Sequence, residues 1–233
     1  MYNNIFKRVE IKYLITTKQK KLLLKEINNY IEKDLYYEST ICNIYYDNDN
    51  NELIINSLEK PPFKSKVRIR SYGVPSLKDE IFVEIKNKYN GVVEKRRVKM
   101  PLEEFYNYEK KRKIIKNNQI MKEIDYYFKY YKLKPAIFIA YDRVSYRGKF
   151  EEDLRITIDS NLRSRSNNLK LELGDKGEKY FDKEYYIMEI KTLNSMPIWL
   201  VKSLSKLKIY PTSCSKYGKI YEKNKSKGEF IYD

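Results

Sequence analysis

Strand-length segments of this chain alternate cations with aliphatic residues, again and again. In Lys66-Val67-Arg68-Ile69-Arg70 the even positions are basic and the odd ones apolar; in Val93 to Lys99 the odd positions Lys95, Arg97 and Lys99 line up. Glu84, Lys86 and Lys88 alternate with Ile81, Val83 and Ile85, and Arg8, Glu10 and Lys12 with Val9, Ile11 and Tyr13. Side chains on a strand point to opposite faces in turn, so each segment carries a charged row opposite an oily one. Few folds accept that pattern. Either the charged rows face water on an antiparallel sheet, or the strands curl into a barrel and the rows line a cationic tunnel.

Three like charges in a row repel one another unless water or bound anions screen them. With 48 Lys and Arg against 32 Asp and Glu, the net charge of +16 favours an anionic partner. Arginine adds planar, bidentate contacts to phosphate oxygens. A tunnel of this kind suits a chain of phosphates. The bland alternative is a solvated sheet in a chain whose basicity is compositional.

The chain has no histidine, which excludes imidazole bases and His-ligated metals. Cys42 and Cys214 form no motif, so a reducing cytoplasmic setting is expected. No signal peptide is apparent after Met1, and the apolar run around Ala136 to Tyr141 is too short to span a bilayer. There is neither a P-loop nor a Rossmann fingerprint.

Eight extended segments are predicted, near 5–14, 39–47, 64–73, 79–88, 92–100, 136–146, 153–159 and 185–192. Gly73-Val74-Pro75-Ser76 and Asn90-Gly91 supply turns. Helices are predicted from Thr16 or Thr17 to about Ile31, after Pro101, over 119–132, from a cap at Asn194 or Ser195 to about Lys206, and over Ser215 to Glu222. No linker divides the chain, so residues 1–233 read as one α+β domain: an antiparallel eight-stranded β-barrel with flanking helices and a loose tail over 223–233. Among the cations, Arg143 shares a face with Tyr141, and Arg155 with Thr157; Glu189 and Lys191 share a face of the last segment. Glu189 could be an ion-pair partner or could hold a divalent metal, with Glu10 as the second candidate.

These motifs resemble, in order and over nearly the whole chain, the VTC domain, the polyphosphate polymerase domain of the vacuolar transporter chaperone complex. The matching segments are Arg8-Val-Glu-Ile-Lys-Tyr13, Ile44-Tyr-Tyr-Asp47, Lys66-Val-Arg-Ile-Arg-Ser-Tyr-Gly73, Glu84-Ile-Lys-Asn-Lys88, Glu94-Lys-Arg-Arg97, Tyr141-Asp-Arg143, Asp153-Leu-Arg-Ile-Thr-Ile-Asp159, Met188-Glu-Ile-Lys191 and Ser215-Lys-Tyr217. The resemblance implies the triphosphate tunnel fold, shared with CYTH phosphatases. It implies phosphate contacts for Lys12, Arg68, Arg70, Lys86, Lys95, Arg143, Arg155 and Lys216, and a metal-binding role for Glu189. Arg97, Lys191 and Glu10 join the set because alternation turns them inward. ATP and polyphosphate are the implied partners and Mn²⁺ or Mg²⁺ the implied cofactor, with no role for nucleic acid.

One departure matters. The related triphosphatases open on Glu-x-Glu-x-Lys, and here Arg8 replaces the first carboxylate. That favours holding a longer anion over hydrolysis. The expected activity is transfer of the terminal phosphoryl group of ATP to a polyphosphate end. A tripolyphosphatase or nucleoside triphosphatase, with Glu10 or Glu84 positioning water, is the alternative on the same fold. A polyanion or RNA binder using some of the 24 tyrosines is a third reading.

Overall fold

The computed structural model describes residues 9–90, 92–114, 118–181, 184–193 and 195–227. Arg8, Gly91 and Asn194, singled out in the sequence, lie outside the described residues, as do 228–233 of the expected tail. The described residues contain nine strands: β1 (Val9–Thr16), β2 (Ile31–Asp47), β3 (Phe63–Tyr72), β4 (Glu80–Tyr89), β5 (Val92–Pro101), β6 (Lys134–Gly148), β7 (Arg155–Arg165), β8 (Glu178–Lys179) and β9 (Tyr185–Thr192). Eight form a continuous antiparallel sheet in the order β1-β9-β7-β6-β2-β3-β4-β5, and the short β8 pairs with β7 off that path.

The alternation in the sequence decides which face is covered. On β3, Val67 and Ile69 belong to a core with Val83, Ile85 and Val98, on which Leu102 and Phe105 of α3 (Leu102–Lys111) and Phe128 of α4 (Gln119–Tyr130) pack. On the other arm, Ile156, Ile158, Met188 and Ile190 carry Leu23 and Ile27 of α1 (Thr17–Ile27) and Leu200 and Leu204 of α5 (Ile198–Lys206). The oily rows therefore face outward, under helices, and the charged rows face inward. A third core lies on the inner face: Ile41, Tyr45, Ile137, Ile139 and Ile187 meet Ile54 of α2 (Glu52–Glu59) and Tyr217, Ile220 and Tyr221 of α6 (Lys216–Ser226). Thus α6 lies within the curl of the sheet and fills part of it.

Among the described residues no backbone ladder joins β1 to β5, so the sheet is strongly curved but not closed by hydrogen bonds. Side chains bridge the seam instead: Glu10 of β1 lies 3.3 Å from Lys86 of β4. The free edge of β1 is partly covered by a bridge from Tyr13 to Pro211, and Thr212 N donates to Lys12 O at 2.7 Å. A short, covered edge limits unwanted strand pairing.

Local chemistry sets the element ends. Thr16 and Gln19 form a reciprocal capping box at the start of α1. That helix stops at Ile27, short of the expected Ile31, because Ile31 already pairs with Gly148 in β2. β2 begins eight residues before its expected start, behind the polar run Glu32-Lys33-Asp34 and a register shift between Lys33 and Glu38. Helix α2 was not expected at all. It is capped from a distance by Asp47, whose carboxylate accepts from Leu53 N and Ile54 N at 2.9 Å each. Tyr89 pairs with Val92, and between them Asn90 stands at φ 44°, the positive φ a tight hairpin turn requires. The expected loose tail is helical as far as Ser226, because Asn224 is buried and Lys223 and Lys227 reach Glu178 at 2.9 and 2.6 Å. Among the described residues, no helix is long and apolar enough to cross a membrane.

Candidate functional site: a cation-lined lumen

The inward rows enclose a cavity of about 800 Å³. Strand β3 contributes Lys64, Lys66, Arg68 and Arg70 to it, β4 Lys86 and Lys88, β5 Lys95, β6 Tyr141 and Arg143, and α6 Lys216. From the other side β1 brings Glu10 and Lys12, and β9 brings Glu189 and Lys191. Pairing stacks like charges directly opposite one another: Lys66 faces Lys86, which faces Lys95, and Lys64 faces Lys88. Such pairs are destabilising unless compensated.

Compensation is local and incomplete. Glu84, 1% exposed, takes Arg68 Nε at 2.8 Å and Lys95 Nζ at 2.6 Å. Burial pushes its carboxyl up, but Arg68, Arg70 and Lys95 hold it far below the usual range. Glu84 is thus a buried counter-ion and has no freedom to position water. Asp159 binds Arg143 through two bonds, 2.6 and 2.7 Å, and Lys216 at 2.6 Å. Glu189 is the hub of the other arm: Lys216 at 3.0 Å, Lys191 at 2.9 Å, and Lys12 and Arg143 at 3.7 Å each. Burial opposes ionisation of Glu189, yet these four cations keep its carboxyl well below the usual range. At Glu10, burial and the nearby Glu189 push the carboxyl up, and Lys86, Lys12 and Lys191 bring it down to about 2.

Among the described residues, Lys64, Lys66, Arg70 and Lys88 line the lumen with no carboxylate within 4 Å, and of these Arg70 and Lys66 lie deepest in the row. Arg70 donates Nε to Asn43 Oδ1 at 2.9 Å and Nη2 to the Tyr141 hydroxyl at 3.0 Å. Lys66 donates only to the Ser215 hydroxyl, at 2.8 Å. Burial, reinforced by Lys12, Lys86, Lys64 and Arg68, pulls the Lys66 ammonium down to about 7. Burial also pulls Lys95 down to about 7, against the attraction of Glu84 and with repulsion from Arg70 and Arg68.

Ten of the twelve residues expected at the site line this one cavity: Lys12, Arg68, Arg70, Lys86, Arg143, Lys95, Lys191, Lys216, Glu10 and Glu189. Arg155 and Arg97 do not. Arg155 opens β7 opposite Lys191 and Arg147, stays 53% exposed and reaches Asp34 at 3.8 Å. Arg97 stacks over the Phe82 ring at 4.6 Å. Both share the inward face with true lining residues, but alternation gives the face of a strand and not the height along the lumen. The structure adds Asp159, Asn43 and Tyr45, whose hydroxyl accepts from Arg68 Nη1 at 3.0 Å. It also makes Lys66 a lining residue, although the sequence had placed it only in a basic row. Alternation along β2 and β7 carried the signal for the added three; nothing local showed that Asp159 is a counter-ion.

For a divalent metal, Glu10 and Glu189 are the available donors, both ionised and both within 4 Å of Lys12, at 3.4 and 3.7 Å. Among the described residues no three Asp, Glu, Cys or His converge on one point. Two carboxylates fit Mg²⁺ or Mn²⁺ only when phosphate oxygens and water complete the shell, as is usual for ions that enter with a phosphorylated substrate.

The VTC domain family matches residues 7–224. The chain belongs to that family. Solved structures similar to this VTC domain include a candidate adenylate cyclase of Bacillus halodurans, 13% identical, covering 91% of this chain and 95% of its own, with a TM-score of 0.56. Another is a Hippeastrum candidate adenylyl cyclase, described as having a dominant triphosphatase activity; it is 14% identical, with 91% and 93% coverage and a TM-score of 0.51. A candidate adenylate cyclase of Vibrio parahaemolyticus is 10% identical, with 92% and 98% coverage and a TM-score of 0.51. At such identities the likeness is one of fold, and that fold is the triphosphate tunnel. No curated protein sequence matches the chain.

Proposed function

We propose that this VTC domain is a polyphosphate polymerase that transfers the γ-phosphoryl group of ATP to the end of a polyphosphate chain. The observation that carries this reading is the row Lys64–Lys66–Arg68–Arg70, flanked by Lys86, Lys88 and Lys95. The six steps from Lys64 to Arg70 run about 20 Å. A triphosphate occupies only part of such a track, whereas a linear polyanion can use all of it.

In the reaction, a terminal oxygen of the acceptor phosphate attacks the γ-phosphorus, the bridging bond to the β-phosphate breaks, and ADP leaves. Phosphoryl transfer of this kind needs positioning and charge neutralisation more than covalent help. Arg70, free of carboxylates, offers its full charge to non-bridging oxygens, and Lys66, also without a carboxylate, is drawn into its charged form when phosphate binds. Arg143 is held by Asp159, so its guanidinium is oriented before the substrate arrives. Lys12, Lys86, Lys95, Lys191 and Lys216 neutralise the remaining phosphates. The acceptor is already an anion and needs no general base. That suits a lumen whose carboxylates Glu10 and Glu189 are too weakly basic to serve as one. A divalent cation held by Glu189 and Glu10, when bound, would neutralise phosphate oxygens and stabilise the leaving group.

Incubation of the protein with ATP and Mn²⁺, followed by resolution of the products, tests the proposal. Long polyphosphate and ADP are expected. Orthophosphate as the only phosphate product would replace it with a triphosphatase.

A further inference from the structure

We propose that Lys66 is an acylation site for small acyl phosphates, which the lumen gathers by their phosphate group. This rests on the reading of the lumen as a phosphate site. The lumen lysines Lys12, Lys86, Lys95, Lys191 and Lys216 each have a carboxylate within 4 Å. Lys66 has none. Its Nζ is fixed by the Ser215 hydroxyl, 2.8 Å away, at the N-cap of α6. The charged groups that act on it most strongly are cationic: Lys12 on β1, Lys86 on β4, and Lys64 and Arg68 on its own strand; Glu10 lies one step further out, on Lys12 and Lys86. An amine buried among cations releases its proton readily, and Lys66 does so near pH 7. An ordinary lysine, with a pKa near 10.4, holds about a thousandfold less free amine at that pH. Lys95 is a built-in contrast. It too is pulled down to about 7, but its Nζ is engaged by Glu84 at 2.6 Å.

The step is balanced. The Nζ lone pair attacks the acyl carbon, the carbon–oxygen bond to phosphate breaks, and orthophosphate leaves with the electron pair. The proton released from nitrogen goes to the departing phosphate. Lys12, Lys86 and Arg68 hold the phosphate and stabilise it as it leaves. The product is a neutral amide with an acyl group projecting into the lumen, so polyanion binding falls.

The test is treatment of the intact protein with acetyl phosphate across pH 6–9, with peptide mass mapping. Acetylation at Lys66 is expected at least tenfold faster than at Lys95 or at the exposed Lys110 and Lys111. Tripolyphosphate should protect Lys66. An acetylating ester without phosphate should show less preference for it. Lys66→Arg should remove the fast site, and calorimetry of the wild type should detect tripolyphosphate binding. Acetylation of Lys66 no faster than of Lys110 would overturn the proposal, as would an equal preference from the phosphate-free ester. The calorimetry reads the underlying assumption separately. If the wild type binds no tripolyphosphate, the phosphate-site reading fails; if it binds but Lys66 is unreactive, only the acylation proposal fails.

Discussion

Arg143 and Asp159 face each other across β6 and β7, joined by two bonds of 2.6 and 2.7 Å, and the same carboxylate holds Lys216 at 2.6 Å. One buried acid therefore fixes two of the cations that line the lumen. Asp159→Asn leaves both without their nearest counter-ion. Breaking a buried ion pair from one side costs about 3–5 kcal/mol. Urea denaturation should show a loss of that order, and tripolyphosphate should restore more stability to the variant than it adds to the wild type, because a phosphate can replace the missing charge.

Glu189→Gln keeps the size of the side chain and removes the charge at the hub of four cations. Turnover with Mn²⁺ should fall at least a hundredfold, with the circular dichroism unchanged. In the absence of metal, calorimetry should show tripolyphosphate binding retained or tightened, since Lys12, Lys191 and Lys216 lose a competing carboxylate. Wild-type turnover at limiting Mn²⁺ would remove Glu189 from the metal site.

The depressed lysines make a pH prediction. Lys66 and Lys95 lose their protons near pH 7 in the folded chain and near 10.5 when unfolded. Between those values the unfolded state binds more protons, so these two groups make stability rise with pH through that window. Lys66→Met should remove part of the rise. The measurement is the urea midpoint of both proteins from pH 7 to 9.5; identical slopes would mean that Lys66 titrates normally.

Bound phosphate favours the charged form of Lys66 and so raises its pKa. Tripolyphosphate affinity should therefore fall as pH rises above 7 by more than it does in Lys66→Arg, whose charge does not titrate. Calorimetry of both proteins at pH 6.5 and 8.5 measures the difference. An equal fall in both would show that other groups, Lys95 among them, and not Lys66, set the trend.

Which side of each strand carries the charge was legible, because alternation is a local property. Val67 and Arg68 point to opposite sides of β3 whatever the rest of the chain does. The depth of a side chain was not legible: Arg155 and Thr157 share a face, but one is 53% exposed and the other buried. Depth depends on strand tilt and stagger, which no single segment encodes. The same holds for closure. Eight strands in series were expected to make a barrel, and the seam between β1 and β5 is bridged by the Glu10–Lys86 pair instead of a ladder. Helix α2 was hidden because it is only eight residues long, and its first donors are taken by Asp47, six residues before Leu53, and not by the side chain of Asn51 at its N-cap.

The central claim is that the charged rows face a lumen that takes a linear polyanion. Arg70 and Lys66 test it best, because removing them leaves no carboxylate stranded. The measurement is a pair of calorimetric titrations, with tripolyphosphate and with a DNA duplex, on wild type and on the variant carrying Lys66→Met and Arg70→Met, at one salt concentration. The account predicts at least a hundredfold loss of tripolyphosphate affinity and little change in any duplex binding, which would use outer charges such as Lys110 and Lys111. A parallel loss of both ligands would place Lys66 and Arg70 on an open outer surface and contradict it.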